Sequence, residues 1–208
     1  MRPVIFDLDG TLVDSAPDIA ASVNRVLAAN GLAPLKLAEV MTMIGDGAKP
    51  LLARAFAARG VAHDPAHLAA FIADYQANPV TETAPYPGMV ALLDELARRK
   101  VLMAVCTNKP HAPAVRILEA LGLGRFFAAV LGGDSLPYKK PDPRHLAATL
   151  AALEVTDAIM VGDHHNDLAA AAALGLPGVH VRWGYGEASS PHSAADAAQL
   201  LQILERMG

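Results

Sequence analysis

Short apolar runs, each cut off by Gly, Pro or Asp, recur along the chain at PVIFDL, VLMAVCT, AAVLGG, AIMVGD and GVHVRW. Runs bounded in this way read as strands buried on both faces. The stretches between them switch to a three-to-four-residue period. PGMVALLDELARRK sets Val90, Leu93, Leu96 and Ala97 on one stripe, with Pro87 at the expected first turn and charged residues in the last. HAPAVRILEALG ends on Gly122, an expected left-handed cap, and PDPRHLAATLAALE has proline near its start. DLAAAAALG is biased toward helix by its alanines. Strands alternating with helices predict an α/β fold, a doubly wound parallel sheet (a Rossmann-like core) with right-handed crossovers.

One spacing breaks the alternation. About ninety residues separate the first run from VLMAVCT, where a single βαβ crossover needs about thirty. The surplus carries helical periodicity in APDIAASVNRVLAANG, AKPLLARAFAARG and DPAHLAAFIADYQANP and lacks β-branched runs. This predicts an all-helical cap domain, residues 15–85, inserted after the first strand of a catalytic core formed by residues 1–14 and 86–208.

Composition narrows the class of partner. The chain has 208 residues, 53% of them hydrophobic, enough for a real core. Its net charge of -4 leaves no basic footprint for a phosphate backbone, so nucleic acid is not an expected partner. The single cysteine, Cys106, cannot form a disulfide within the chain, which suits a reducing cytoplasm. The opening MRPVIFDLDG has no uninterrupted apolar stretch of signal-peptide type, and no segment has the length to span a bilayer. The expectation is a cytoplasmic protein, monomer or homodimer, acting on a small molecule.

The chemistry gathers at the ends of the apolar runs, where ligands of doubly wound sheets bind. Asp7 and Asp9 follow the first run, Thr107 and Asn108 the second, Asp134 the third, and Asp163 with Asp167 the fourth; Lys140 lies in the loop KKPDP. Clustered carboxylates repel one another unless a hard cation with oxygen ligands, most naturally Mg²⁺, joins them. Such a site suits phosphoryl chemistry. A carboxylate nucleophile 4 Å from a phosphate dianion meets about 4 kcal/mol of repulsion per pair of unit charges at an effective dielectric of 20, which the metal and Lys140 offset. Two aspartates at one strand tip then divide the work: Asp7 as nucleophile and metal ligand, Asp9 as a proton shuttle that also offers its backbone carbonyl to the metal.

Plainer readings fare less well against the pattern. An EF-hand loop starting at Asp7 needs glycine at its sixth position, where Leu12 stands, and a helix before it rather than a strand. A thiol phosphatase needs arginine six residues after Cys106, where Ala112 stands, so Cys106 reads as core. His164 and His165 sit among aspartates, but a Mg²⁺ site prefers oxygen, which favours a rim role for them. Asp163 and Asp167 also suit a helix N-terminus, a role compatible with metal binding. The GDG of residues 45–47 reads as a tight turn; facing the site, its amides and Lys49 would touch the substrate.

DLDGTLVDS, the strand ending in Thr107–Asn108, the Lys140–Pro141 pair and GDHHND occur in the order of the four motifs of the haloacid dehalogenase superfamily. DSAPDI, GDG, YPGM, GGDSLPYKKPDP and WGYG resemble its phosphoglycolate-phosphatase-like branch, so the resemblance extends over essentially the whole chain. It implies an aspartyl-phosphate on Asp7, a phosphoryl group held by Thr107, Asn108 and Lys140, Mg²⁺ bound by Asp7, Asp9 and Asp163, and Asp167 as a supporting acid. The chain departs from the family at His164, where a small hydroxyl residue is common. The implied activity is Mg²⁺-dependent hydrolysis of a small phosphate monoester, first of all 2-phosphoglycolate. A β-phosphoglucomutase-like isomerase and a phosphatase for sugar phosphates or pyrophosphate share this core. A non-catalytic binding protein fits less well, because no motif residue is missing. Haloacid dehalogenation is disfavoured because that branch lacks the aspartate that Asp9 supplies.

Overall fold

The structure, a computed structural model, describes residues 1–77 and 80–208. Five of the apolar runs form strands: β1 (Val4–Phe6), β4 (Met103–Cys106), β5 (Ala129–Leu131), β6 (Ile159–Gly162) and β7 (Gly178–Val181). A two-residue strand, β8 (Ser193–Ala194), completes a six-stranded sheet in the order β5-β4-β1-β6-β7-β8, with every pairing parallel. Successive side chains alternate between the faces. Val4 and Phe6 join one hydrophobic cluster with Val105 and Val161, while Ile5 joins a second with Ala104, Cys106 and Met160. Helices α7 (Pro143–Ala152) and α8 (His165–Ala173) cover the second face; α5 (Met89–Arg98), α6 (His111–Ala120) and α9 (Ala197–Met207) cover the first. The sheet is therefore buried on both sides, as its continuous apolar strands require.

β1 lies at the centre. From it the chain builds outward through β4 and β5 on one side, then returns to build β6, β7 and β8 on the other. The order reverses around β1, and the crevice beyond its carboxyl end is where such a sheet holds a ligand.

The surplus segment is helical. Helices α1 (Ala16–Ala29), α2 (Leu37–Met41), α3 (Ala48–Ala57) and α4 (Pro65–Ala77) follow in sequence, and Val23, Leu27, Leu52, Phe56 and Phe71 bury together in the larger cluster. The expected end of α4 at residues 78 and 79 lies outside the described residues. Two short strands were not foreseen. β2 (Val13–Asp14) and β3 (Ala84–Pro85) pair antiparallel, so the chain leaves for the helical segment and returns from it at one place. Strands of two residues carry no readable period. Asp18 anchors the return: its carboxylate accepts hydrogen bonds from the N–H groups of Thr81, Glu82 and Thr83 at 2.9–3.1 Å and from the Thr83 hydroxyl at 2.6 Å.

Helix α5 corrects the expected phase. Met89, Leu92, Leu93 and Leu96 are buried, whereas Val90 is 39% exposed and Ala97 faces solvent. The i, i+3, i+4, i+7 series begins one residue earlier than expected, because the helix starts at Met89 behind Gly88, with Pro87 outside it. Gly122 takes its expected left-handed conformation with φ 67°, and Pro143 stands in the first turn of α7 behind its N-cap Asp142. Among the described residues no helix is long and apolar enough to cross a membrane.

Candidate active site

The C-terminal rim of the sheet gathers the strand-end residues. Lys140 is the pivot: its Nζ donates to Asp7 Oδ1 at 2.9 Å, to Asp167 Oδ1 at 2.5 Å and to the Cys106 carbonyl at 2.5 Å. It is only 2% exposed. Burial alone would lower the Lys140 ammonium, but the Asp167 and Asp7 carboxylates outweigh it and hold the group above its ordinary value. The Lys140–Pro141 peptide is cis. Asp167, at the third position of α8, also accepts from the His164 N–H at 3.0 Å.

Asp163 follows β6 and is fixed by its neighbours. One carboxylate oxygen accepts from the Tyr185 N–H at 2.8 Å and the Gly186 N–H at 3.0 Å, the other from the Thr11 hydroxyl at 3.2 Å. Two glycines let the backbone come this close. Gly10 has φ 79°, and a Cβ there would stand 2.4 Å from an Asp163 oxygen; a Cβ on Gly184 would stand 2.3 Å from that of Asp163. The WGYG loop thus supplies amides to Asp163, and its Tyr185 hydroxyl bonds Asp14 at 2.7 Å and accepts from the Ser15 N–H at 2.7 Å, tying the loop to the root of α1.

Ligand oxygens of Asp7, Asp163 and Asp167 all lie within 4.8 Å of one another. Burial, followed by the neighbouring carboxylates, raises Asp163 to about 7. Asp7 is raised to about 6, chiefly by burial, with Lys140 opposing. Once all three are ionised, three buried carboxylates against one ammonium leave two negative charges, which a divalent cation would balance. The all-oxygen donor set suits a hard metal. Neither histidine belongs to this cluster. His164 is the N-cap of α8, its ring accepting from the Asn166 N–H at 3.3 Å, and it packs at a 42° tilt against the His165 ring with centroids 4.2 Å apart.

The Asp9 side chain does not join the carboxylate cluster. Lys109 Nζ donates to both its oxygens at 3.0 Å, and the Ser15 hydroxyl donates at 2.5 Å. Asp7, Asp9, Thr107, Asn108 and Lys109 line one wall of a cavity whose other walls are apolar side chains of α1, α3 and α4 with the loop of residues 44–47. Its empty volume, part of it open to solvent, is about 620 Å³.

The GDG turn does face the core. The Asn108 side-chain amide donates to the Gly45 carbonyl and to the Lys140 carbonyl, both at 2.9 Å, and Asn166 donates to Asp46 at 2.8 Å. Both hydrogens of the Asn108 amide are committed to this seam rather than to the cavity. Lys49 is exposed and lines a neighbouring outer cleft with Lys139, not the cavity wall. Asp134 is likewise elsewhere: it accepts from the His111 N–H at 2.7 Å and caps α6. Cys106 is buried, its thiol pushed up to about 11 by burial.

Lys109 escaped the reading of the sequence. It stands two residues past Thr107, with no motif spacing of its own. Extending the inspection of each strand end by one residue would have included it.

A doubly wound sheet that gathers carboxylates, a buried ammonium and a roofed cavity at its C-terminal rim defines an α/β enzyme built for an anionic small molecule. The chain belongs to the haloacid dehalogenase-like hydrolases, whose sequence profile matches residues 4–181. It is 46% identical over 194 residues to a phosphoglycolate phosphatase of Rhodospirillum rubrum, covering 88% of this chain and 80% of that protein. It is 49% identical over 181 residues to a phosphoglycolate phosphatase of Cereibacter sphaeroides, covering 85% and 83%. Among solved structures, that of a predicted phosphoglycolate phosphatase from Haemophilus somnus superposes with a TM-score of 0.90 at 31% identity, covering 98% of each chain.

Proposed function

We propose that this hydrolase is a Mg²⁺-dependent phosphomonoesterase that converts 2-phosphoglycolate to glycolate and phosphate. The observation that carries the reading is the buried cluster of Asp7, Asp163 and Asp167, two of them paired with Lys140, with Asp7 also lining the cavity. The names of the curated relatives supply the substrate.

Asp7 and Asp163, with the backbone carbonyl of Asp9, would hold the metal, and Asp167 supports them through Lys140. When bound, Mg²⁺ supplies positive charge that offsets repulsion between the Asp7 carboxylate and the phosphate dianion. Lys140 orients Asp7 through the 2.9 Å hydrogen bond for attack on phosphorus, forming an aspartyl-phosphate. Thr107, on the cavity wall, would hold a phosphoryl oxygen, and Lys140, its three N–H groups donated to Asp7, Asp167 and the Cys106 carbonyl, would add positive charge beneath the phosphoryl group. Asp9 gives a proton to the departing alkoxide and later takes one from the water that frees Asp7. The helical segment, read as a cap domain of residues 15–85 over a core of residues 1–14 and 86–208, walls the cavity and limits water.

The test is phosphate release from 2-phosphoglycolate, sugar phosphates, pyrophosphate and p-nitrophenyl phosphate, each with and without Mg²⁺. We expect metal-dependent release with phosphoglycolate ahead of the others. Asp7→Asn should abolish it and prevent trapping of phosphate on the protein, while circular dichroism stays unchanged. Activity independent of metal, or persisting in Asp7→Asn, would contradict the covalent scheme.

A further inference from the structure

Phosphoglycolate carries two anionic groups, and the residues around Asp7 account for only one of them. Of the described residues lining the cavity, Lys109 is the only cation. Its residue is 7% exposed, its Nζ sits 4.5 Å above the centre of the Tyr75 ring of α4, and among the described residues its anionic partner is Asp9, held at 3.0 Å through both oxygens. Asp9 cannot serve the leaving oxygen while it keeps this bidentate pair. Once it turns away, an ammonium is left buried against an aromatic face with no counter-charge, an arrangement proteins avoid.

We propose that Lys109 is the specificity-determining residue of the site: the carboxylate of the substrate takes over the place on Lys109 that Asp9 occupies here, releasing Asp9 for catalysis. The inference rests on the phosphomonoesterase reading above. A substrate with a carboxylate restores the buried ion pair, whereas an alkyl phosphate that lacks one leaves Lys109 uncompensated and is penalised for it. The Tyr75 ring holds the ammonium within the cavity by cation–π attraction. Lys49 and Lys139 are poorer candidates. Lys49 is exposed in the outer cleft, and the Lys139 ammonium is spent on the Asp46 carbonyl.

The experiment compares kcat/KM for 2-phosphoglycolate with that for ethyl phosphate, which has the same two carbons without the carboxylate. We expect the ratio to fall about 10- to 100-fold in Lys109→Met, the size of one charge-assisted hydrogen bond, and to be largely restored in Lys109→Arg. Wild-type protein gives a second reading that needs no variant to fold. Inhibition by 3-phosphonopropionate should be at least about tenfold tighter than by propylphosphonate, its analogue with a methyl group in place of the carboxylate. An equal fall on both substrates would make Lys109 only a support for Asp9 and overturn the inference, as would equal inhibition by the two phosphonates. A fall of the ratio in Lys49→Met but not in Lys109→Met would overturn it in favour of the outer cleft. Mg²⁺-dependent hydrolysis of ethyl phosphate without preference for phosphoglycolate would sink the inference and leave the phosphatase reading standing. Hydrolysis of neither ester would remove both.

Discussion

Two aspartates one residue apart meet different surroundings, and the difference sets their chemistry. Asp7 lies against Lys140 in a crowd of carboxylates, whereas Asp9 points the other way, to Lys109 and Ser15. Asp9→Asn should therefore leave metal binding intact, measured as the rise in Tm with Mg²⁺, but lower kcat for ethyl phosphate by at least about 100-fold. The loss for p-nitrophenyl phosphate should be smaller in the first step, because nitrophenolate departs without a proton. Equal losses in that step would take the proton-shuttle role away from Asp9. Asp163 and His164 are sequence neighbours with separable roles. Asp163→Ala should abolish the Mg²⁺-induced rise in Tm. His164→Ser exchanges one N-cap for another and should keep that rise, with stability within about 1 kcal/mol. The positions of Asp7, Thr107, Lys140 and Asp163 were legible because each closes an apolar run or a motif. Where each side chain turns was not, since sequence spacing does not tell that Asp9 pairs with Lys109 or that the Asn108 amide is spent on Gly45 and Lys140.

At the scale of elements, the five apolar strands were plain because each short run is cut off by Gly, Pro or Asp, and the helical surplus because its period holds over many residues. The ribbon of β2 and β3 was not, because it consists of two-residue strands held together by what surrounds them. Asp18 is the main part of that surrounding. Burial pulls its carboxyl upward, but the hydroxyl of Thr83 and the N–H groups of Thr81, Thr83 and Glu82 together hold it below its ordinary value. Asp18→Ala strips those donors of their acceptor and should cost about 2–4 kcal/mol, with a fall in Tm of roughly 5–15 °C. The sign in pH follows from the depressed value. The folded state binds this proton less readily than the unfolded chain, so the contribution is complete at neutral pH and fades as acid protonates the group. Wild type and Asp18→Ala should accordingly converge in stability as pH falls below the ordinary carboxylate range. A gap that stays constant down to pH 3 would mean that Asp18 acts by packing alone.

For the whole molecule the decisive imbalance is local. A net charge of -4 is mild for 208 residues, yet three carboxyl groups and one ammonium are buried together at one point of the rim. With Asp7 raised to about 6 and Asp163 to about 7, the metal-free folded protein binds protons there that the unfolded chain, with ordinary carboxyls, has already released. Between about pH 4 and 7 these two groups make stability fall as pH rises, opposite in sign to Asp18. A divalent cation competes with the same protons. At pH 8 both carboxylates are free to bind it; at pH 5 protons must be displaced first, which lowers apparent affinity by one to three orders of magnitude. Since a ligand of the folded state stabilises it by RT ln(1 + [L]/Kd), the increase in Tm given by 10 mM Mg²⁺ should be several degrees at pH 8 and nearly vanish at pH 5. Thermal scans with Mg²⁺ and with EDTA at the two pH values read this directly. Asp163→Ala should show no increment at either pH. An increment of equal size at pH 5 and pH 8 would mean that the cation binds somewhere other than the buried carboxylates.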